Sequence, residues 1–333
     1  MCEDDPIDVG PRPSSCAGVD QRSAIAPTPY SWLVREWESA YSSGITPQLD
    51  VASPYQWASA CHDMLEAGYV EVLEFAARHL HAAYPDLEYL ATIVAWFDNV
   101  PHHLPLAAFR DDPAADVQVI RRTGCDAVLL CFCAKNGTFG LPLNFVHQWL
   151  GRLPVSLVYL KDFRDLSGGL GFPSLGSDRS ASIAALRCTL EGLDAKRVYT
   201  VGVSVGGYAA MYYALELGAA GVLNLAGTTD LTGDFVESLE AVPAVYSRLL
   251  SMAPEYAVNL RESYKSATHP PHVLIAFCSD SSDREQAERM AGLPNVELIA
   301  VESSAQHNVV DPLIRQGNFF SLLQRLLVTD NET

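Results

Sequence analysis

Basic residues are scarce in this chain: 22 lysines and arginines stand against 40 aspartates and glutamates, a formal charge of −18. A field of that sign repels phosphate backbones and anionic lipid, so neither nucleic acid nor a membrane surface is expected as a partner. Long hydrophobic runs are missing as well. The longest, Ala127 to Ala134, falls far short of the roughly 20 apolar residues of a membrane-spanning helix. The start, Met1-Cys-Glu-Asp-Asp5, has neither the basic nor the apolar part of a secretory signal, and the expected compartment is the cytoplasm. Eight cysteines in 333 residues form no disulfide framework and no zinc-type spacing. Cys131, Cys133 and Cys278 lie inside apolar runs and read as small buried hydrophobes. The nine histidines are scattered and make no metal-binding motif such as His-Glu-x-x-His. The glycine-rich stretch Asp162–Ser177 matches neither a phosphate loop nor a dinucleotide fingerprint and reads as a connecting or rim loop. No metal and no cofactor is implied.

What the chain does have is 49% hydrophobic residues, 19% charged residues and a mean hydropathy of +0.08, the composition of a globular protein with a sizeable core. Residues 1–27 are rich in Pro, Ser, Asp and Gly without periodicity, which predicts a disordered or loosely attached tail. Over 28–100 apolar residues recur at helical spacing: Trp32, Leu33, Trp37 and Tyr41, then Trp57, Cys61, Met64 and Leu65, then Val70, Leu73, Ala76 and Leu80, then Leu87, Leu90, Ala91 and Val94. This predicts a small all-helical N-terminal domain of three or four helices. Its segment from Glu66 to Asp86 resembles one tetratricopeptide-type helical hairpin, and no second copy is visible.

A Pro-, His- and Asp-rich linker over 101–119 precedes a region, 120–330, where strand-like and helix-like runs alternate. The strands are expected at 126–133, 155–161, 197–203, 221–226, 273–278 and 296–301, with helices near 141–151, 178–193, 206–217, 284–292 and 312–327. Continuous apolar strands alternating with helices predict an α/β domain with a mostly parallel sheet covered on both faces. Residues 228–268 form a long insertion whose apolar runs are broken by Pro243 and Pro254, and a lid over the carboxyl edge of the sheet is expected there.

The stretch that carries chemistry is Gly202-Val-Ser204-Val-Gly206-Gly207, directly after the β-branched run Arg197–Val203 and directly before a helical run that stops at Gly218. A serine on so sharp a strand-to-helix turn needs strained backbone, and flanking glycines remove the Cβ atoms that would collide. The turn exposes the hydroxyl at the carboxyl end of a sheet, over a helix N-terminus that favours developing negative charge.

In this arrangement the chain resembles the α/β-hydrolase family from about Asp126 to its C-terminus. The resemblance implies an α/β-hydrolase-type sheet and a triad in the order serine, acid, histidine. Ser204 is then the nucleophile and His307, in Ser303-Ser-Ala-Gln-His307, the base. The acid is Asp280, closest to the end of the strand 273–278, or Asp283, three residues on. Ser282-Asp-Arg-Glu285 also reads as a capping box, in which Asp283 would be a helix-start acid. The oxyanion hole implied is the backbone N–H of Val205 plus one from the loop Cys133–Gly140, by register Lys135, with Ala134 and Asn136 as alternatives because the family's His-Gly pair is absent. Gly137 and Gly140 would let that loop bend around an acyl group.

The expected function is acyl transfer through an acyl-enzyme, ending in ester or thioester hydrolysis or in O-acyl transfer, with an acylated small-molecule or carrier-bound substrate. A basic patch of Lys135, Arg152, Lys161 and Arg164 is expected near the pocket. The alternative is a non-catalytic scaffold of the same fold, with a protein partner or a second copy held by the N-terminal helices.

Overall fold

The structure is a computed structural model that describes residues 28–232, 244–302 and 307–328. The expected tail, residues 233–243 of the insertion and residues 303–306 of the histidine loop lie outside the described residues. Seven strands form one sheet in the order β1-β3-β2-β4-β5-β6-β7. They are β1 (Val117–Ile120), β2 (Ala127–Phe132), β3 (Ser156–Leu160), β4 (Arg197–Val203), β5 (Gly221–Leu225), β6 (His272–Cys278) and β7 (Val296–Val301). All neighbours pair in parallel except β1, which lies antiparallel on β3. β1 was not expected. Its four residues Val-Gln-Val-Ile sit at the end of the Pro- and Asp-rich linker, too short for their alternation to stand out.

The alternation of side chains along each strand sorts the interior into two layers. Leu129 and Cys131 of β2, Tyr159 of β3 and Val201 of β4 face one layer; Val128, Leu130 and Phe132 of β2 and Leu160 of β3 face the other. Coverage on both sides is why β2 and β3 are buried at every position and read as unbroken apolar runs. Helices α6 (Arg179–Gly192) and α7 (Val205–Leu217) cover the second layer, together with Leu249, Tyr256, Leu260 and Tyr264 of the insertion. The first layer is covered by α5 (Leu143–Leu150) and two C-terminal helices, Val310–Arg315 and Asn318–Val328. Those two were expected as one helix. Gly317, at φ +73°, takes the left-handed conformation between them and breaks the run. The expected α/β architecture is present: a mostly parallel sheet with helices on both faces.

Four helices precede the sheet: α1 (Ser31–Ser43), α2 (Pro54–Glu66), α3 (Val70–Ala83) and α4 (Glu88–Asp98). α2 opens with a reciprocal Ser53–Gln56 capping box and Pro54 in its first turn. The buried Trp37 and Trp57 meet edge to face with centroids 5.8 Å apart. α4 is fastened to the body: Trp96 Nε1 donates to Asp311 Oδ1 at 2.7 Å, Trp149 Nε1 donates to the Asn99 carbonyl at 3.0 Å, and Phe97 packs on Phe145. The buried side chains of α1–α4 are therefore continuous with the first layer under the sheet. Among the described residues no helix is long and apolar enough to cross a membrane.

One titratable group is built into this packing. His147 of α5 is 2% exposed, and burial holds its pKa down at about 4. Nε2 lies 2.8 Å from the Ala107 carbonyl, which only accepts, so the Nε2 tautomer carries the proton and Nδ1 accepts from the Tyr159 hydroxyl at 2.6 Å. A second proton would leave Tyr159 without an acceptor. In the unfolded chain this histidine titrates near its ordinary value of about 6.5. Its contribution to stability is complete above that value and is lost as pH falls towards 4, on the order of 3 kcal/mol by linkage. Urea unfolding from pH 7 to pH 4 should show that loss, and His147→Gln should flatten the pH dependence over this window while lowering stability at pH 7.

Candidate active site

The carboxyl end of the central strand β4 runs directly into α7, and the residue at the junction is Ser204, with φ 54° and ψ −122°. A non-glycine residue in this region carries strain of order 1–3 kcal/mol and persists only where the surroundings hold it. They do so by close backbone approach. A Cβ on Gly202 would be driven into the carbonyl of Gly206, and a Cβ on Gly206 into the carbonyls of Phe132 and Cys133 at the end of β2. A Cβ on Gly207 would strike Asn224 and Gly227. The Ser204 N–H donates to Leu225 O at 2.9 Å, and the Thr200 hydroxyl donates to Ala210 O, tying β4 to α7.

His307 reaches this serine from the loop after β7. Its Nε2 is 2.7 Å from Ser204 Oγ, and its Nδ1 lies 2.8 and 3.0 Å from the two carboxylate oxygens of Asp283. A carboxylate only accepts, so Nδ1 carries a proton and Nε2 of the neutral ring is free to accept from the serine. The hydrogen bond to Asp283 raises the His307 pKa above its ordinary value, against partial desolvation, which lowers it.

Of the two aspartates, the structure brings Asp283 to His307 and leaves Asp280 exposed at the strand end, where its carboxylate accepts from the Ser279 hydroxyl at 3.5 Å. The reason is the turn after β6. Ser281 N–H donates to Cys278 O, which swings the next residues back, and the Ser281 hydroxyl accepts from the Asp283 N–H at 3.3 Å and sits 3.0 Å from its carboxylate. Asp283 opens the helix Asp283–Glu288, but Ser282 makes no side-chain cap bond, so the capping-box reading does not describe this turn.

Val205 and the loop after β2 frame the space beside Ser204. Phe132, Cys133, Ala134, Val205 and Gly206 line a crevice of about 10 Å³ together with Gly168 and Phe172 of the glycine-rich loop. The Ala134 N–H is committed to Thr138 O at 2.7 Å, which removes it as an oxyanion donor. Among the described residues no acceptor is assigned to the N–H groups of Val205, Lys135 or Asn136. Gly137 and Gly140 both have positive φ, +73° and +79°.

Two asparagines missed in the sequence hold this constellation. Asn308, next to His307, donates from Nδ2 to Gly140 O at 2.7 Å and so joins the histidine loop to the loop after β2. Asn224, fully buried in β5, accepts from Gly227 N–H at 2.7 Å beneath Gly207. A lone amide inside the run Gly-Val-Leu-Asn-Leu was the available signal, because a buried polar side chain needs a partner. The expected basic patch does not form. Arg152 and Lys161 are buried and bonded, Arg164 is turned onto Asp162 and Gly171, and only Lys135 of the four is exposed.

No protein-family model matches the chain, and no curated protein matches it. Among solved structures it is similar to esterase B from Lactobacillus rhamnosis, at 15% identity and TM-score 0.47 over 76% of this chain and 95% of that one. It is also similar to the capsule O-acetyltransferase of Neisseria meningitidis serogroup A, at 14% identity and TM-score 0.45 over 66% and 94%. A third is the fluorophosphonate-binding serine hydrolase F of Staphylococcus aureus, at 12% identity and TM-score 0.41 over 61% and 90%. These likenesses concern the fold.

The strain at Ser204 has a measurable sign. Glycine ordinarily costs about 1 kcal/mol relative to alanine through backbone entropy. At this left-handed position the order should invert, with Ser204→Gly more stable than Ser204→Ala by about 1 kcal/mol in urea unfolding. Equal stability, or the usual glycine penalty, would mean that the turn is unstrained.

Proposed function

We propose that the protein is a serine-dependent acyl-transfer enzyme working through an acyl-Ser204 intermediate. The observation that carries this reading is the unbroken hydrogen-bonded line from Ser204 Oγ through His307 to Asp283, at 2.7 and 2.8 Å. In the first half-reaction His307 Nε2 takes the hydroxyl proton as Oγ attacks the carbonyl carbon of an ester or thioester. The carbonyl oxygen becomes an oxyanion, for which the N–H groups of Val205 and Lys135 are the proposed donors, assisted by the N-terminal end of α7. The tetrahedral intermediate collapses, the bond to the leaving group breaks, and His307 returns the proton to the departing alcohol or thiol. In the second half-reaction water, or an acceptor hydroxyl, gives its proton to His307 and attacks the acyl carbon; the bond from that carbon to Ser204 Oγ then breaks, and His307 returns the proton to Oγ, which frees Ser204. Asp283 fixes the tautomer of His307 and stabilises the imidazolium without taking its proton.

The partition between water and an acceptor depends on how an acceptor is held and water excluded. Both outcomes share the same residues, so product analysis on p-nitrophenyl esters and acyl thioesters, with and without candidate alcohols, separates them.

A fluorophosphonate should label Ser204 in the wild type and fail on Ser204→Ala, whose turnover of p-nitrophenyl acetate should fall at least about 10³-fold. Wild-type turnover in Ser204→Ala would overturn the proposal. Asp283→Asn should cost about 10²–10⁴-fold, whereas Asp280→Asn should stay within about twofold. Because the base must be neutral, kcat/KM should fall as pH drops through the His307 pKa, which lies above the ordinary histidine value. Asp283→Asn removes the interaction that raises it, so the residual activity should show its acid limb at lower pH than the wild type does.

A further inference from the structure

Lys161 follows β3 and is 2% exposed at its side chain. A lysine ammonium has three protons to place, and all three have acceptors: the Asp111 carboxylate, Asp112 O at 2.8 Å and Gln118 Oε1 at 3.2 Å. Asp111 and Asp112 belong to the segment between α4 and β1, and the Asp111 N–H is in turn held by Asn144 Oδ1 of α5 at 2.9 Å. The head of Lys161 is thus pinned by the linker.

Its aliphatic stem lies under the loop after β2. Gly137 has φ +73°, and a Cβ there would come within 3.1 Å of Lys161 Cδ, so stem and backbone are in contact with no side chain between them. Gly137 N–H donates to Ala134 O at 3.2 Å and Ala134 N–H to Thr138 O at 2.7 Å, which makes 134–138 one short closed turn. Lys135, whose N–H is the proposed oxyanion donor, is inside that turn. Whatever fixes the height of Gly137 fixes the aim of that N–H.

We infer that Lys161, clamped by Asp111, is a positioning residue for the oxyanion donor of the 134–138 turn. The inference rests on the acyl-enzyme reading above. An oxyanion donor interacts more strongly with the transition state than with bound substrate, so a misplaced turn should lower kcat and leave KM nearly unchanged. A displacement of about 1 Å is enough for losses of up to about 10²-fold.

The test uses the full chain with Lys161→Met, which keeps the stem and removes the clamp, and Asp111→Asn, which breaks the clamp from its partly exposed side. Fluorophosphonate titration counts competent sites and gives a labelling rate constant per site. The expected result is unchanged stoichiometry in at least one variant, a rate constant at least about tenfold lower, and kcat for p-nitrophenyl acetate reduced in proportion with KM within about threefold. A purely structural role would lower the number of competent sites and leave the rate per site at the wild-type value. That outcome in both variants, or wild-type behaviour in both, overturns the inference while the acyl-enzyme reading stands. Absence of labelling at Ser204 in the wild type overturns that reading instead, and this inference with it.

Discussion

The left-handed backbone at Ser204 is the constraint to which the rest of the molecule conforms. Holding φ at 54° next to a helix brings α7 so close to β4 that Gly202 and Gly206 meet without side chains, and brings Gly206 against the carbonyl end of β2. α7 is consequently buried on almost every side, with Gly206, Tyr208, Ala209, Ala210, Met211, Tyr213 and Ala214 all inaccessible. A helix apolar all round has to be covered beyond the sheet as well. The second half of the insertion does this: Tyr264 donates to Met211 O, and the Tyr208 hydroxyl bonds the backbone at Tyr256 and Val258. The part of the insertion nearest β6 thus completes the packing of α7.

Parallel pairing explains how residues separated by more than a hundred positions meet. Strands running the same way deliver all their exits to one edge, so the turn after β2, Ser204 after β4, Asp283 after β6 and His307 after β7 share that edge. Proximity alone would leave these loops free to move. Short bonds between side chain and backbone hold this edge: Asn308 to Gly140, Asn224 to the turn at Gly227, and Thr229 to Gln286 on the helix that carries Asp283. The glycine-rich loop is wired similarly, with the Asp162 carboxylate accepting from the N–H groups of Arg164, Leu166 and Gly168. Many of the acidic residues that make the chain so negative are surface charge; those that organise structure, such as Asp162, Asp283 and Asp111, act through local bonds that net charge does not register.

The turn at Ser204 was legible because its pattern is local: strand, Gly-x-Ser-x-Gly and helix lie within one continuous stretch, and the apolar runs place six strands nearly to the residue. Features that depend on a turn or a depth were not. Which aspartate meets His307 is decided by how three residues fold after Cys278, and which N–H of the loop after β2 is spent depends on one bond from Ala134 to Thr138. Lys161 reads as a surface cation because sequence carries no measure of depth, and the three acceptors that make its burial tolerable come from a linker that itself looks structureless. β1 hides in that same linker for the same reason: its stability comes from pairing with β3, not from its own four residues.

Burying an ion pair such as Lys161–Asp111 is an inefficient route to stability. Desolvation offsets most of the Coulombic gain, and a well-packed apolar pair of similar volume is often as stable, whereas losing one partner strands a buried charge at a cost of about 3–5 kcal/mol. What the pair supplies beyond energy is a direction. Three acceptors on one ammonium fix the end of a flexible stem, and the stem then fixes the glycine above it. Two of the acceptors, at Asp111 and Asp112, come from the segment that joins the N-terminal helices to the sheet, and those helices share the first layer of the core through Trp96 and Phe97. The N-terminal region therefore reaches the edge of the sheet where Ser204 lies by two routes, a packed core beneath the sheet and a single buried cation at its rim.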